Sequence, residues 1–89
     1  PAGVEIDFVI ETAGRRPDSL PRVIAIEVKR AERWDRAWEK PMRSLADNAG
    51  VKVERMFGVY CGSRSYQFDN VTVLPFADFI KALFAGDVF

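Results

Sequence analysis

Polar and apolar positions alternate in two short stretches of this chain, Glu5-Ile6-Asp7-Phe8-Val9-Ile10-Glu11 and Val23-Ile24-Ala25-Ile26-Glu27-Val28-Lys29. A period of two marks β-strands. The even-numbered face is apolar in both: Val4, Ile6, Phe8 and Ile10, then Ile24, Ile26 and Val28. The odd-numbered face carries Glu5, Asp7, Glu11, Glu27 and Lys29. An antiparallel pairing in one register sets Phe8 opposite Ile26, Asp7 opposite Glu27 and Glu5 opposite Lys29. Residues 12–21, rich in Gly, Pro, Asp and Ser, form the connecting loop. That loop is long for a hairpin, so the alternation of faces sets the register more than the turn does.

Beyond Lys29 the period changes. Trp38, Met42, Leu45, Ala46 and Ala49 recur at helical spacing, with Pro41 at a first-turn position and Gly50 just past the end. This predicts a helix opening near Pro41, preceded by a less regular charged segment. Residues 55–61, almost continuously apolar, predict a strand covered on both faces at the centre of a mixed sheet. Tyr66–Phe68 and Val71–Leu74, joined at Asp69-Asn70, read as short strands about a tight turn. Phe76, Phe79, Ile80, Leu83 and Phe84 form one stripe of a final helix that starts at Pro75 and closes at Gly86. The stripe is expected to be core, with part of it available to another domain. The helix between the second and third strands implies a right-handed parallel crossover. The fold class is therefore α/β: a small mixed β-sheet flanked by helices, in the order strand, strand, helix, strand, short strands, helix.

The length of 89 residues suits a single domain, and 48% hydrophobic composition supplies a core. Thirteen basic and thirteen acidic residues balance, so net charge argues neither for nor against nucleic acid. The charge is unevenly placed, with six basic against three acidic residues over 29–43. Arg30, Arg33, Arg36 and Lys40 in that stretch are either a solvated face or a phosphate-facing rim. Trp34 and Trp38 are expected to pack, with base stacking as the alternative. Cys61, the only cysteine, is expected to be a buried small hydrophobe. No apolar run approaches the length of a membrane span and no leader is visible, which leads to an expectation of a cytoplasmic protein. A chain that opens on Pro1-Ala2-Gly3 without Met is expected to be part of a longer polypeptide.

The chain contains no histidine. That excludes Ser-His-Asp and Cys-His catalysis and His-ligated zinc. Two carboxylates opposite one another, Asp7 and Glu27, are destabilising unless neutralised. A hard cation such as Mg2+, Mn2+ or Ca2+ would neutralise them through oxygen ligands.

An acidic residue in one strand, Asp7, followed after a loop by Glu27-Val28-Lys29 resembles the PD-(D/E)xK nuclease-like superfamily. The chain is most similar to the DUF4143 domain found C-terminal to predicted prokaryotic AAA-type ATPases. Gly3 to Val9, Ile26 to Lys29, Leu45, Tyr60-Cys61-Gly62 and Leu74-Pro75-Phe76 carry that resemblance across the whole chain. It implies a restriction-endonuclease-like core, with residues 1–89 one such domain of a longer ATPase. It further implies Asp7, Glu27 and Lys29 as catalytic residues, and Asp7, Glu27 and the Val28 carbonyl as ligands of Mg2+ or Mn2+. Lys29 would orient the attacking water or stabilise charge on phosphate. DNA or RNA would be the partner, and exposed aromatic residues on the last helix would point to a homo-oligomer interface.

Active members add an acidic residue from a helix before the first strand, and this chain begins at that strand. Glu5 is expected to pair with Lys29. Three readings follow: a metal-dependent nuclease, a nuclease-like domain without catalysis that binds, regulates or oligomerises, and a purely structural salt-bridge cluster. No G-x-x-x-x-G-K-[ST] pattern occurs, so an ATP site would lie elsewhere.

Overall fold

The computed structural model describes residues 6–12, 20–48 and 50–89. The paired strands are β1 (Phe8–Glu11) and β2 (Arg22–Val28), joined antiparallel with Phe8 opposite Ile26 and Ile10 opposite Ile24. The alternation therefore predicted the register. Glu5, and with it the expected pairing to Lys29, lies outside the described residues.

From β2 the chain passes through a 3-10 turn, Arg36–Glu39, into α1 (Lys40–Ala46). Asp35 caps the turn by accepting the Ala37 N–H at 2.8 Å. Pro41 sits in the first turn of α1, where its missing N–H has no intrahelical partner to lose. The less regular segment expected before Pro41 is this turn.

The next strand, β3 (Lys52–Tyr60), runs parallel to β2 and is the middle strand of five. It starts earlier than its apolar run suggested, because Lys52 and Glu54 pair in the ladder while their side chains stay exposed. The register slips between Val23 and Ile24, leaving Glu54 as the extra residue of a bulge. The strand also stops one residue short, so Cys61 falls in the following loop and is exposed. The expectation of a buried thiol is corrected: the strand's inward alternation ends at Tyr60.

A tight hairpin of β4 (Tyr66–Phe68) and β5 (Val71–Pro75) follows, turning at Asp69 with φ +53°. Aspartate tolerates this left-handed geometry better than most residues. The sheet order is β1-β2-β3-β5-β4, with a parallel centre and antiparallel edges. The mixed α/β architecture is as predicted.

α2 (Phe76–Phe84) ends in a Schellman motif. Gly86 N–H donates to the Leu83 carbonyl, Asp87 N–H donates to the Ala82 carbonyl, and Gly86 takes φ +78°. Packing divides by face. Ile24, Ile26, Phe57 and Val59 meet Phe79 of α2 and Val88 of the C-terminal segment. Ala25, Met56, Tyr60, Val71 and Val73 meet Met42 of α1, with Trp34 and Leu45 beside them. Arg55 fastens the C-terminal segment by donating to the carbonyls of Asp87 and Val88. The α2 stripe is only partly core: Phe79 is buried, Ile80 and Leu83 half-buried, and Phe76 and Phe84 exposed. Among the described residues no helix is long and apolar enough to cross a membrane.

Candidate metal and phosphate site

Glu27, Val28 and Lys29 lie at the carboxyl end of β2, beside the parallel strands β3 and β5. Ligands of α/β sheets bind preferentially at that end. Alternation turns Glu27 to the α1 face, where it is 5% exposed. A carboxylate taken so far out of water needs partners, and it has them. Lys29 Nζ lies 3.0 Å from Oε2, and the Asp7 backbone N–H donates to Oε1 at 3.3 Å.

Asp7 itself marks where β1 leaves the ladder. Its Oδ2 accepts the Val28 N–H at 2.8 Å, in the place a strand carbonyl would otherwise take. Past this point the chain changes face, and Ile6 packs with the α1-side core instead of continuing the even-numbered face. The expected juxtaposition of Asp7 and Glu27 is thus present without carboxylate facing carboxylate. Each is turned onto an N–H or an ammonium. Val28 enters the site through its N–H, whereas the ligand expected of it is the carbonyl.

Trp34 roofs the site. Gly58 stands opposite Glu27 in the ladder, and a Cβ there would lie 2.5 Å from the Trp34 ring. Glycine is required for the indole to approach the sheet this closely. Trp38 meets Trp34 edge-on at 5.1 Å between centroids, and the Lys29 ammonium lies 5.4 Å from the Trp38 ring. Both tryptophans pack, as expected. Lys29 is held between a carboxylate and an aromatic face.

The indole is fixed from behind by Glu39, one of the three acidic residues of the 29–43 stretch. Glu39 is 1% exposed. Its Oε2 accepts the Trp34 Nε1–H at 2.8 Å, and its Oε1 accepts from Arg43 at 2.7 Å and from Arg36 at 3.3 Å. Burial pushes its pKa up, but the Arg43, Trp34 and Arg36 donors together outweigh burial and hold the carboxyl below its ordinary range. The available signal was the spacing: Arg36 and Arg43 stand three before and four after Glu39, on one helical face.

Of the four expected rim cations, Arg30, Arg33 and Lys40 are exposed and make no ion pair among the described residues. Arg36 differs. It bonds Glu39, approaches Asp69 at 3.8 Å and lies 4.4 Å from the Phe68 ring centroid.

Among the described residues no three His, Cys, Asp or Glu side chains gather as a metal-binding group. The acidic donors nearest one another, Asp7 and Glu27, which is bonded by the Asp7 N–H, offer oxygen alone. Mg2+ keeps several of its waters and is commonly held by one or two carboxylates. The chemistry therefore fits a hard divalent cation, which would have to displace the Lys29 ammonium from Glu27.

Compared with known proteins, the chain matches over residues 1–79 the family model described as "Domain of unknown function (DUF4143)". No curated protein and no solved structure matches it.

Proposed function

The chain belongs to the DUF4143 family, and we propose that it is a nuclease-like domain of the PD-(D/E)xK type, serving an ATPase in a longer polypeptide, whose Asp7 and Glu27 hold Mg2+ or Mn2+ for phosphodiester hydrolysis. The observation that carries this reading is the convergence of Asp7, Glu27 and Lys29 at the carboxyl end of β2.

When bound, the divalent cation would polarise the phosphoryl oxygen and acidify a water. The chain's own residues do the rest. Lys29, released from Glu27, places its charge against the phosphate, where developing negative charge is greatest. Trp38 lies beside the Lys29 ammonium, and Trp34 covers Gly58 next to Glu27 in the sheet. Arg30, Arg33 and Lys40 would meet flanking phosphates.

A second reading has its own support. Glu27 is already neutralised by Lys29, and among the described residues no three carboxylates gather. On that reading the domain binds nucleic acid or oligomerises without catalysis, with exposed Phe76 and Phe84 as apolar surface.

Calorimetric titration with Mn2+, wild type beside Glu27→Gln, tests the first reading. Binding by the wild type that is lost in the variant is the expected result, and hydrolysis of nucleic acid with Mn2+ should then be lost with it. Absence of Mn2+ binding by the wild type would favour the non-catalytic reading.

A further inference from the structure

One row of the sheet extends from the candidate site to the far edge. Glu27 pairs with Gly58, Gly58 with Val73, and Val73 with Tyr66. Directly paired residues project to the same face of a sheet, so Tyr66 and Glu27 share a face three strand spacings apart, about 14 Å. The space between is bridged by rings. Trp38 meets Trp34, Trp34 meets Tyr60 at 6.2 Å, Tyr60 meets Tyr66 at 6.5 Å, and Tyr66 stacks on Phe68 at 5.3 Å with planes 17° apart.

A cation lies at each end of this arc: Lys29 over Trp38 and Arg36 over Phe68. Tyr66, on the edge strand β4, is 37% exposed, whereas Tyr60 in the middle is buried at 2%. The loop before Tyr66 carries exposed Arg64, held in place by the Tyr60 hydroxyl, which donates to its carbonyl at 2.7 Å. An exposed, pre-stacked ring with a guanidinium over its stacking partner, on the same face as the lysine proposed above to meet phosphate, is the combination that captures unpaired bases along a tracked backbone. A duplex keeps its base faces covered and cannot use such a ring.

We propose that the Tyr66 ring, backed by Phe68 with Arg36 over it, is a base-stacking platform, and that the strand whose phosphate meets Lys29 is single-stranded nucleic acid passing outside the ring arc to β4. This rests on the nucleic-acid reading above and adds the substrate class and the contact that selects it.

The test is fluorescence anisotropy on the 89-residue chain in EDTA, so that metal binding plays no part. The probes are labelled oligothymidylate, labelled oligouridylate and a labelled duplex of equal length. The wild type should bind a single strand more tightly than the duplex, and the preference between the two single strands separates DNA from RNA. Tyr66→Ala should weaken single-strand binding about tenfold, the loss of one stacked base. Tyr66→Phe should retain binding, and Tyr66→Leu, which keeps bulk without a π-face, should lose it; that pair decides the matter even if the alanine variant fails to fold. Equal binding of duplex and single strand, no binding of either single strand, or a Leu variant that binds like the Phe variant would each overturn the proposal. The Mn2+ titration of Glu27→Gln is read separately, so the two proposals can fail independently.

Discussion

At the residue scale, Glu39 has the largest consequences among the side chains to which sequence patterning assigned no role. Its neighbours are charged and its position in the 3-10 turn looks solvent-facing, yet one carboxylate ties Trp34, Arg36 and Arg43 together. Glu39→Gln removes the charge from a buried network and should cost about 2 kcal/mol, measured as a lowered urea midpoint. Because the donors depress its folded pKa, the contribution is complete at neutral pH and is lost as pH falls below the ordinary carboxylate value of about 4.3 toward the depressed one. Wild type and Glu39→Gln should therefore converge in stability on acidification. Gly58→Ala tests the other side of the same indole. The added methyl collides with Trp34, so a loss of about 1–3 kcal/mol and a changed near-ultraviolet tryptophan spectrum are expected. Asp7, Glu27 and Lys29 were legible as a cluster because strand alternation fixes which side chains share a face. The partners of each were not legible. A carboxylate accepting a backbone N–H at a broken ladder leaves no periodic trace, and neither does a glutamate buried by donors from three directions.

At the element scale, periodicity and apolar runs foretold the five strands and two α-helices among the described residues but not the 3-10 turn, and they failed at the element ends. β3 outruns its apolar segment because ladder hydrogen bonds do not require apolar side chains, and it stops before Cys61 although the apolar run does not. For α2 the stripe of five apolar residues is real, but the sheet beneath it covers only the middle. Phe79 is buried against Phe57, with centroids 5.7 Å apart, whereas Phe84 is 87% exposed. Phe79→Ala should thus cost about 3–4 kcal/mol, while Phe84→Glu should stay within about 0.5 kcal/mol of wild type. Thermal denaturation followed by circular dichroism distinguishes the two. Comparable losses at both positions would mean that the helix is covered along its whole stripe.

At the scale of the whole molecule, the parallel centre brings Glu27, Lys29 and the Trp34 and Tyr60 rings to one end, while the Schellman turn and the Arg55 clamp secure the α2 face. A divalent cation and the Lys29 ammonium compete for Glu27 in this arrangement. Lys29→Met should lower stability without metal by about 1 kcal/mol, a modest figure because Lys29 is a third exposed. The same variant should show a larger rise in melting temperature with Mn2+ than the wild type, since its competitor is gone. A smaller rise would place the cation away from Glu27. The exposure of Cys61 has a practical consequence. It is the only thiol in the chain, and its N–H bonds the Ala31 carbonyl at 2.8 Å, which joins the loop after β3 to the loop after β2. A fluorophore coupled through maleimide would therefore attach at one position, on solvent-facing sulfur and outside both halves of the core. It would sit where the two loops bordering the Glu27 row meet, a single reporter of that end of the sheet that needs no engineered cysteine.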